Sequence, residues 1–213
     1  MANSSRTNVD IIDRLEKERA LPTATLTFAI VFVVAYMVQL FLAGSLSQNA
    51  GIEGARIVSD VVGTASAIFM WVFHSDHTHF LENLFVFVLA GWWVENRVDQ
   101  DRFVLGTVFI LGIGANVVAA MVFGTLGIGI SGVTSGLVTI VALGQLESLS
   151  DSNSNPIRNI LVFTFSVFFL LWVVGAVEPL PSGTAVEIHI LGVGIGAIWY
   201  AAEKFHYGSN DFQ

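Results

Sequence analysis

Long apolar runs dominate this chain and limit it to the folds that a lipid bilayer permits. Six such runs approach or reach the length of a membrane-spanning helix, and they cover residues 22–44, 79–94, 103–123, 131–146, 160–177 and 188–202. Hydrophobic residues make up 54% of the 213 residues and charged residues only 12%, against about 25% in soluble domains. In lipid the backbone must satisfy its own hydrogen bonds, so runs of this length become helices. The sequence predicts an all-α membrane protein with six transmembrane helices in one bundle.

Polar segments flank this membrane domain. We expect residues 1–20 to form a polar N-terminal segment, residues 21–204 the six-helix membrane domain, and residues 205–213 a short tail. A seventh run, residues 57–73, carries Asp60 near its start and is short for a span. We therefore predict an interfacial or half-buried helix there, inside a long first loop.

Charged residues predict the orientation of the chain. Six spans place both termini on one side of the membrane, and eight of the nine basic residues fall on that side, with Arg56 opposite. By the positive-inside rule, both termini should be cytoplasmic, as in a multi-pass protein of the plasma membrane. The net charge is −8 and Lys17 and Lys204 are the two lysines, a balance that fits a halophilic archaeon or an ordinary acidic bias. It offers no basic surface for nucleic acid.

Ser131 stands where a glycine-rich loop, Gly129-Ile130-Ser131-Gly132, enters the fourth apolar run. Gly129 lets the backbone turn and Gly132 leaves space beside the hydroxyl. The N–H groups and the dipole at a helix start can stabilise an oxyanion, which favours a nucleophilic role for Ser131. The alternative is a serine that caps a packing helix. Ser135 is a second candidate, but it lacks a glycine two positions before it and lies deeper.

His189 begins a face that continues with Gly192 and Gly196, three and seven residues later on the same helix. Small residues let helix backbones approach closely in a bilayer, so this face could bring His189 within reach of Ser131. A neutral imidazole there could take the serine proton and later protonate a leaving amine. A buried histidine bonded to a backbone carbonyl is the alternative.

A third polar group precedes and begins the second span. His79 and Asn83 are four residues apart and share a helical face, from which their donors could complete an oxyanion hole. A metal site is the competing interpretation, with Glu82 as general base and ligands from His74, Asp76, His77 and His79. It leaves Ser131 and His189 without a role, so we predict no metal and no cofactor.

From residue 73 to residue 202, the chain resembles the rhomboid family of intramembrane serine proteases. The family's three ordered motifs, G-x-S-G, H-x-x-G-x-x-x-G and H-x4-H-x3-N, match residues 129–132, then His189, Gly192 and Gly196, and finally His74, His79 and Asn83. Glu95-Asn96-Arg97 also looks like the family's E-x-R after the second span. The Trp-Arg motif of the family's first loop has no counterpart, and Ser135 occupies a position where an aromatic ring often stacks on the histidine.

The resemblance implies a six-helix rhomboid-like bundle that cleaves transmembrane protein substrates near the outer face of the lipid bilayer. Ser131 would be the nucleophile and His189 the general base and acid, a dyad without a carboxylate. The oxyanion hole would consist of His79, Asn83 and the Ser131 backbone N–H, with Gly129, Gly132 and His74 in support. A pseudoprotease that binds transmembrane helices without cutting them is the main alternative, and a small transporter or channel is another.

Bulky residues of the fifth span suggest a lateral gate for substrates. These residues are Phe163, Phe165, Phe168, Phe169 and Trp172. Such a stripe is also typical of a surface that simply faces lipid. The sequence does not determine the oligomeric state.

Overall fold

The computed structural model describes residues 21–47, 50–63, 66–124, 127–150, 155–173 and 186–207, and within these ranges its regular structure is helical. The predicted segment 1–20 and residues 208–213 of the predicted tail lie outside the described residues. The helices in the described ranges are α1 Thr23–Ala43, α2 Ala50–Val62, α3 Ser66–Phe69, α4 His77–Glu95, α5 Gln100–Phe123, α6 Ser131–Ser148, α7 Pro156–Val173 and α8 Val186–Tyr207. Within α5, Gly106–Gly114 is wound as a π-helix, and a 3₁₀ turn, Met70–Val72, follows α3.

Three of these helices, α1, α5 and α8, are long and apolar enough by themselves to cross a membrane, and α7 is a shorter apolar helix. Helices α4 and α6 are less apolar, and burial within the protein explains the composition of α6. Nearly all of its side chains are buried against protein, so this helix need not present an apolar surface to lipid. The all-α multi-span bundle is confirmed, whereas the count of six spans stays a prediction.

Helix α6 lies at the centre of the bundle, where it packs against α4, α7, α8 and the π-helical part of α5. A cluster of aromatic rings fills the space beside it. Phe32 of α1 meets Phe87 of α4 edge to face at 5.1 Å and Trp71 at 5.9 Å between ring centroids. Burial of these large side chains fixes the relative positions of α1 and α4.

Glycines bring α6 and α8 into backbone contact, as the two small-residue faces predicted. A Cβ atom added at Gly192 would lie 2.1 Å from the carbonyl oxygen of Gly132, and one added at Gly196 would lie 2.4 Å from that of Gly136. Neither neighbour is a side chain that could move aside. The two helices therefore pack closely along the turns that follow Ser131 and His189.

The run at residues 57–73 is divided rather than continuous. Helix α2 begins earlier, at Ala50, and ends at Val62, and the separate α3 follows from Ser66. The 13 residues of α2 span about 20 Å, short of the roughly 30 Å hydrocarbon core, which agrees with a segment that does not cross the membrane. On its exposed face, Arg56 pairs with Glu53 at 2.8 Å and with Asp60 at 3.4 Å.

Polar contacts join the helices at the end of the bundle away from Ser131. The carboxylate of Glu95, at the end of α4, accepts hydrogen bonds from the Ala24 and Thr25 N–H groups at the start of α1 (2.8 and 2.7 Å). Near the end of α6, Glu147 pairs with Lys204 of α8 at 2.6 Å. Trp93, near the end of α4, lies beside Gly144, near the end of α6, and Asn83 near the start of α4 bonds to Thr134 in the first turn of α6. Helices α4, α6 and α8 therefore run in the same direction, and their first turns meet at the opposite end.

Candidate active site

Ser131 is the first residue of α6 and is 9% exposed. Its backbone carbonyl accepts hydrogen bonds from the hydroxyls of Thr134 (2.9 Å) and Ser135 (2.7 Å), which fix the first turn of the helix. The N–H groups of a first helical turn have no acceptor within the helix, and the positive end of the helix dipole lies beside them. The Ser131 hydroxyl thus stands where negative charge is favoured.

Three hydrogen bonds hold the loop before Ser131. The Gly127 N–H donates to Asn116 Oδ1 (2.9 Å) and the Gly129 N–H donates to the Met70 carbonyl (3.4 Å). The Ile130 N–H donates to His74 Nε2 over a longer distance, 3.5 Å. The backbone on which Ser131 sits is therefore tied to α5 and to the first loop.

Gly129 needs to be glycine for two separate reasons. Its φ angle is +117°, a conformation that other residues avoid, and a Cβ atom there would lie 2.8 Å from Cε1 of His79. The imidazole of His79 therefore packs directly against the loop that leads to Ser131. This contact brings two of the predicted site residues, Gly129 and His79, together.

His189 lies in the first turn of α8 and is 7% exposed. The residue before it, Ile188, contacts Gly132: a Cβ atom at Gly132 would be 2.7 Å from Ile188 Cγ2 and 3.3 Å from its carbonyl oxygen. In the sequence, Ser131 immediately precedes Gly132 and His189 immediately follows Ile188. They consequently start adjacent helices at the same level of the bundle, and His189 is also close enough to His79 for the two rings to interact electrostatically.

Asn83, one turn after His79, links α4 to the start of α6. Its amide nitrogen donates to the His79 carbonyl (2.8 Å), and its Oδ1 accepts from the Thr134 hydroxyl (3.2 Å). An amide nitrogen has two protons, so one donor remains beyond the bond to His79. Asn83 is 7% exposed and contacts the first turn of α6 through Thr134.

His74 is completely buried, with its ring centroid 5.6 Å from that of His79. Burial lowers the pKa of His74 to about 3, and His79 acts in the same direction, against smaller opposing effects of the Val72 backbone and Asp76. The neutral ring can therefore accept the Ile130 N–H through Nε2. His74 supports the serine loop and does not itself reach the first turn of α6.

The model of the rhomboid domain matches residues 63–203, about two thirds of the chain, and this range contains all three motifs. The chain belongs to the rhomboid family. No curated protein matches it significantly. Family membership makes this chain an integral membrane protein of a family that consists mostly of intramembrane serine proteases acting on transmembrane substrates.

In this rhomboid the histidines of the segment 74–79 point to different partners. His77 bonds to the Tyr36 hydroxyl (2.6 Å) through Nδ1 and to the Leu46 carbonyl (3.2 Å) through Nε2, whereas His74 and His79 turn toward the serine loop. Across the described part of the chain, no three histidine, aspartate or glutamate side chains are arranged to hold a metal ion. The geometry gives no support to the competing metal site.

Two buried amides that hold the rhomboid site were missing from the sequence-based prediction. Gln39 of α1 accepts the His74 N–H through Oε1 (3.0 Å), and its Nε2 donates to the carbonyls of His74 (3.0 Å) and Gly51 (2.8 Å). Asn116 of α5 holds Gly127, as described above. Each amide is a polar residue within an otherwise apolar run. A polar side chain in a predicted span needs a partner in the protein, and this was the signal that could have revealed both residues.

An apolar groove of about 360 Å³ opens between α4, α6 and α7 of this rhomboid. Leu89 and Trp93 of α4 form one wall and Phe165 of α7 the other, with Val138 of α6 at the base. Of the aromatic residues predicted to form a gate, Phe165 and Phe168 are more than half exposed, while Phe169 packs against the core. Helix α7 thus rests on α6 and leaves space between itself and α4.

Proposed function

We propose that this rhomboid is an active intramembrane serine endopeptidase that cleaves transmembrane substrates near the outer membrane face, with Ser131 and His189 as its dyad. The observation that carries the proposal is the contact of Gly132 with Ile188, because it makes Ser131 and His189 neighbours across two helices. Both residues are nearly buried, so a proton can pass between them with little competition from bulk water.

Acylation begins when His189 takes the proton of the Ser131 hydroxyl and Oγ attacks the carbonyl carbon of the scissile peptide bond. The carbonyl oxygen becomes an oxyanion, and His189 then gives its proton to the leaving amine as the C–N bond breaks. The ester that remains on Ser131 is hydrolysed by water, which His189 deprotonates. The proton returns to Ser131 Oγ when the ester bond breaks.

The oxyanion would be stabilised by the backbone N–H of Ser131 with side-chain donors from His79 and Asn83. Both side chains come from α4, and both contact the serine loop or the first turn of α6. Donors fixed in this way need not reorganise as charge develops, and removal of one such donor typically lowers kcat by about 10²–10³-fold.

Ser135 is the less suitable nucleophile. It is fully buried, and its hydroxyl donates to the Ser131 carbonyl at 2.7 Å. A hydroxyl engaged inside its own helix is neither oriented toward His189 nor open to a substrate. These contacts support Ser131 over Ser135.

Labelling of the purified protein by a fluorophosphonate probe tests the proposal without knowledge of the substrate. We expect Ser131→Ala to abolish labelling, His189→Ala to slow it by about 10³-fold or more, and Ser135→Ala to leave it nearly unchanged. The Ser135 variant is the matched control, since it removes a hydroxyl one turn away on the same helix. A folded wild-type protein that does not react with the probe would contradict the proposal and favour a pseudoprotease that only binds transmembrane helices.

The same proposal includes the membrane in which the chain lies, the side on which its termini lie, and the bounds of its membrane domain. We infer cytoplasmic termini in the plasma membrane, with residues 21–204 as the membrane domain between short polar ends at 1–20 and 205–213. The polar contacts of Glu95, Glu147 and Lys204 lie at one end of the helices and the dyad at the other, which agrees with a site near the outer face. The acidic, lysine-poor composition further favours a halophilic archaeal source.

A further inference from the structure

Glu82 is the one aspartate, glutamate, lysine or arginine inside the six predicted spans. Every other residue of these types falls in a loop or at an end of the chain. A charged side chain in a span is costly to keep, so it usually pairs with another group and marks a functional site. The dyad and the oxyanion hole of the proposed reaction do not use Glu82, so its carboxylate needs a separate explanation.

Glu82 lies on the face of α4 that borders the apolar groove. It is exposed, and so are Phe85 and Leu89, three and seven residues later on the same helical face. Phe85 and Leu89 both line the groove between α4 and α7. Since α4 begins at the end of the bundle that carries Ser131, Glu82 lies about one turn beyond the groove toward that end.

Helix α7 forms the other side of this gap and runs in the opposite direction. The amide nitrogen of Asn159, in its first turn, donates to the Ser148 carbonyl at the end of α6 (3.4 Å), so α7 begins at the end of the bundle away from the dyad. Phe165 lines the groove, and Phe168 follows about one turn closer to the dyad. A transmembrane helix that lay along the groove would thus pass between Glu82 and Phe168 before it reached the dyad.

Glu82 is also close to the proposed oxyanion hole along α4. It follows His79 by three residues and immediately precedes Asn83. Three residues of helix span about 4.5 Å along the axis, so a substrate residue beside Glu82 would lie within about one helical turn of the bond that Ser131 attacks. The carboxylate is therefore placed to act on the part of a substrate next to the cleavage site.

The described part of the chain offers this carboxylate no cation. No described residue forms a hydrogen bond or ion pair with the Glu82 side chain. Arg56 is the one lysine or arginine predicted on the outer side, and it pairs with Glu53 at 2.8 Å and with Asp60 at 3.4 Å. A cationic partner for Glu82 would therefore come from another molecule.

We propose that Glu82 is a specificity residue that selects transmembrane substrates with a lysine or arginine near the outer end of the span, within about one helical turn of the scissile bond. This inference rests on the proposed function and names its substrate class. The ammonium or guanidinium group of the substrate pairs with the carboxylate as the helix enters between α4 and α7. An apolar residue at that place leaves Glu82 against the span without a partner, which costs free energy. Because basic residues are uncommon on the outer side of membrane proteins, this demand excludes most spans.

Cleavage of synthetic transmembrane peptides in liposomes of zwitterionic lipid tests this preference. The peptides share an alanine-leucine span with a glycine-serine pair near its outer end, and they differ in one residue beside this pair, which is lysine, glutamine or glutamate. In the wild type we expect kcat/KM for the lysine peptide to exceed that for the glutamine peptide at least about tenfold, with the glutamate peptide slowest. The ratio is taken within one variant, so that any general change in the reactivity of a variant cancels.

Glu82→Gln keeps the shape of the side chain but removes its charge, and we expect the ratio to fall to about one. Glu82→Lys should reverse the order, so that the glutamate peptide is cleaved fastest. Asp60→Asn is the matched control, since it removes an exposed carboxylate of α2 that does not line the groove, and it should keep the wild-type ratio. A wild type without the preference, a preference that survives in Glu82→Gln, or an equal decrease in Asp60→Asn would overturn the inference.

The inactive variant Ser131→Ala separates this inference from the proposed function. Reaction of the wild type with the fluorophosphonate decides the function, and its absence in folded protein refutes the dyad. If no peptide is cleaved, binding of the same peptides in liposomes, measured by energy transfer, decides the inference. We expect Ser131→Ala to bind the lysine peptide about tenfold more tightly than the glutamine peptide, and Ser131→Ala/Glu82→Gln to bind the two equally. Equal binding of both peptides to Ser131→Ala would then overturn the inference.

Discussion

At the scale of single residues, the site depends on glycines that no other residue can replace. Gly129 combines a positive φ angle with contact to the His79 ring, and Gly132 contacts Ile188 next to His189. The G-x-S-G pattern in the sequence was sufficient to predict that these positions matter. The identity of their neighbours was not predictable, because it depends on how α4 and α8 pack against the loop.

Gly129→Ala tests whether the contact with His79 matters in addition to the backbone conformation. An alanine at this position must adopt a strained backbone conformation, at a cost of about 1–3 kcal/mol, and its Cβ must also displace His79. We expect the rate of fluorophosphonate labelling to fall at least about 100-fold while the protein remains folded in detergent. Gly44→Ala is the matched control, since Gly44 also has a positive φ (61°) but has open space around it. Equal labelling rates in the two variants would contradict a role for the contact with His79.

At the scale of elements, close packing of α6 and α8 brings Ser131 and His189, the proposed dyad, to the same level of the bundle. The spacing of His189, Gly192 and Gly196 predicted this face from the sequence, because positions three and seven residues apart share one side of a helix. The division of the first loop into α2 and α3 was not predictable in the same way. Helix α2 ends at Val62, and Gly63, which follows with a φ angle of +56°, marks the division. A single glycine within an apolar run is tolerated inside many helices, so it did not by itself predict a helix end.

Gly192→Ala should push α6 and α8 apart, because the added methyl group would lie 2.1 Å from a backbone carbonyl that cannot rotate away. We expect a loss of stability of at least about 2 kcal/mol and a large decrease in labelling of Ser131. Gly194→Ala, on the same helix, meets nothing within 4 Å and should be neutral or slightly stabilising. Thermal unfolding and probe labelling in the same detergent check both, and similar behaviour of the two variants would contradict the packing argument.

Helix α7 is the element that could open toward lipid. Phe168 is 55% exposed, and the groove beside Phe165 separates α7 from α4. If α7 forms a lateral gate, Phe168→Ala should weaken its closed position and raise cleavage of a transmembrane substrate in liposomes by a few fold. Labelling by the small fluorophosphonate should change little. Phe41→Ala, on the lipid-facing side of α1, is the control, and an equal or lower cleavage rate in folded Phe168→Ala would contradict the gate.

At the scale of the whole molecule, the two ends of the bundle have different tasks. The end with Ser131, His189 and His79 carries the polar groups of the proposed reaction. The other end carries one ion pair that connects α5 to α8, one that connects α6 to α8, and a carboxylate that caps α1. Hydropathy and motif order predicted the bundle and the shared level of the site. The ion pairs between distant residues were not predictable, since a single sequence contains no signal for contacts between helices at their polar ends.

This division predicts that stability and reactivity can be changed separately. Glu147 receives hydrogen bonds from Lys204 (2.6 Å) and the Tyr200 hydroxyl, and it lies 16 residues after Ser131 on one helix, about 24 Å along the axis. Glu147→Gln should cost about 1–2 kcal/mol, because a partly buried ion pair is broken, and should lower the Tm by a few degrees. Well below the Tm, the rate of fluorophosphonate labelling should equal that of the wild type.

The variants Lys204→Met and Glu147→Gln/Lys204→Met complete the test. Since the two side chains contact each other directly, the effects on Tm should not add, and the double variant should unfold at a higher temperature than the sum predicts. Asp101→Asn, an exposed carboxylate near the same end, controls for the change of net charge. Additive losses of Tm would contradict the ion pair as a stabilising contact. A parallel loss of labelling in Glu147→Gln would instead mean that this end of the bundle is coupled to Ser131 through α6, and that the two ends do not act separately.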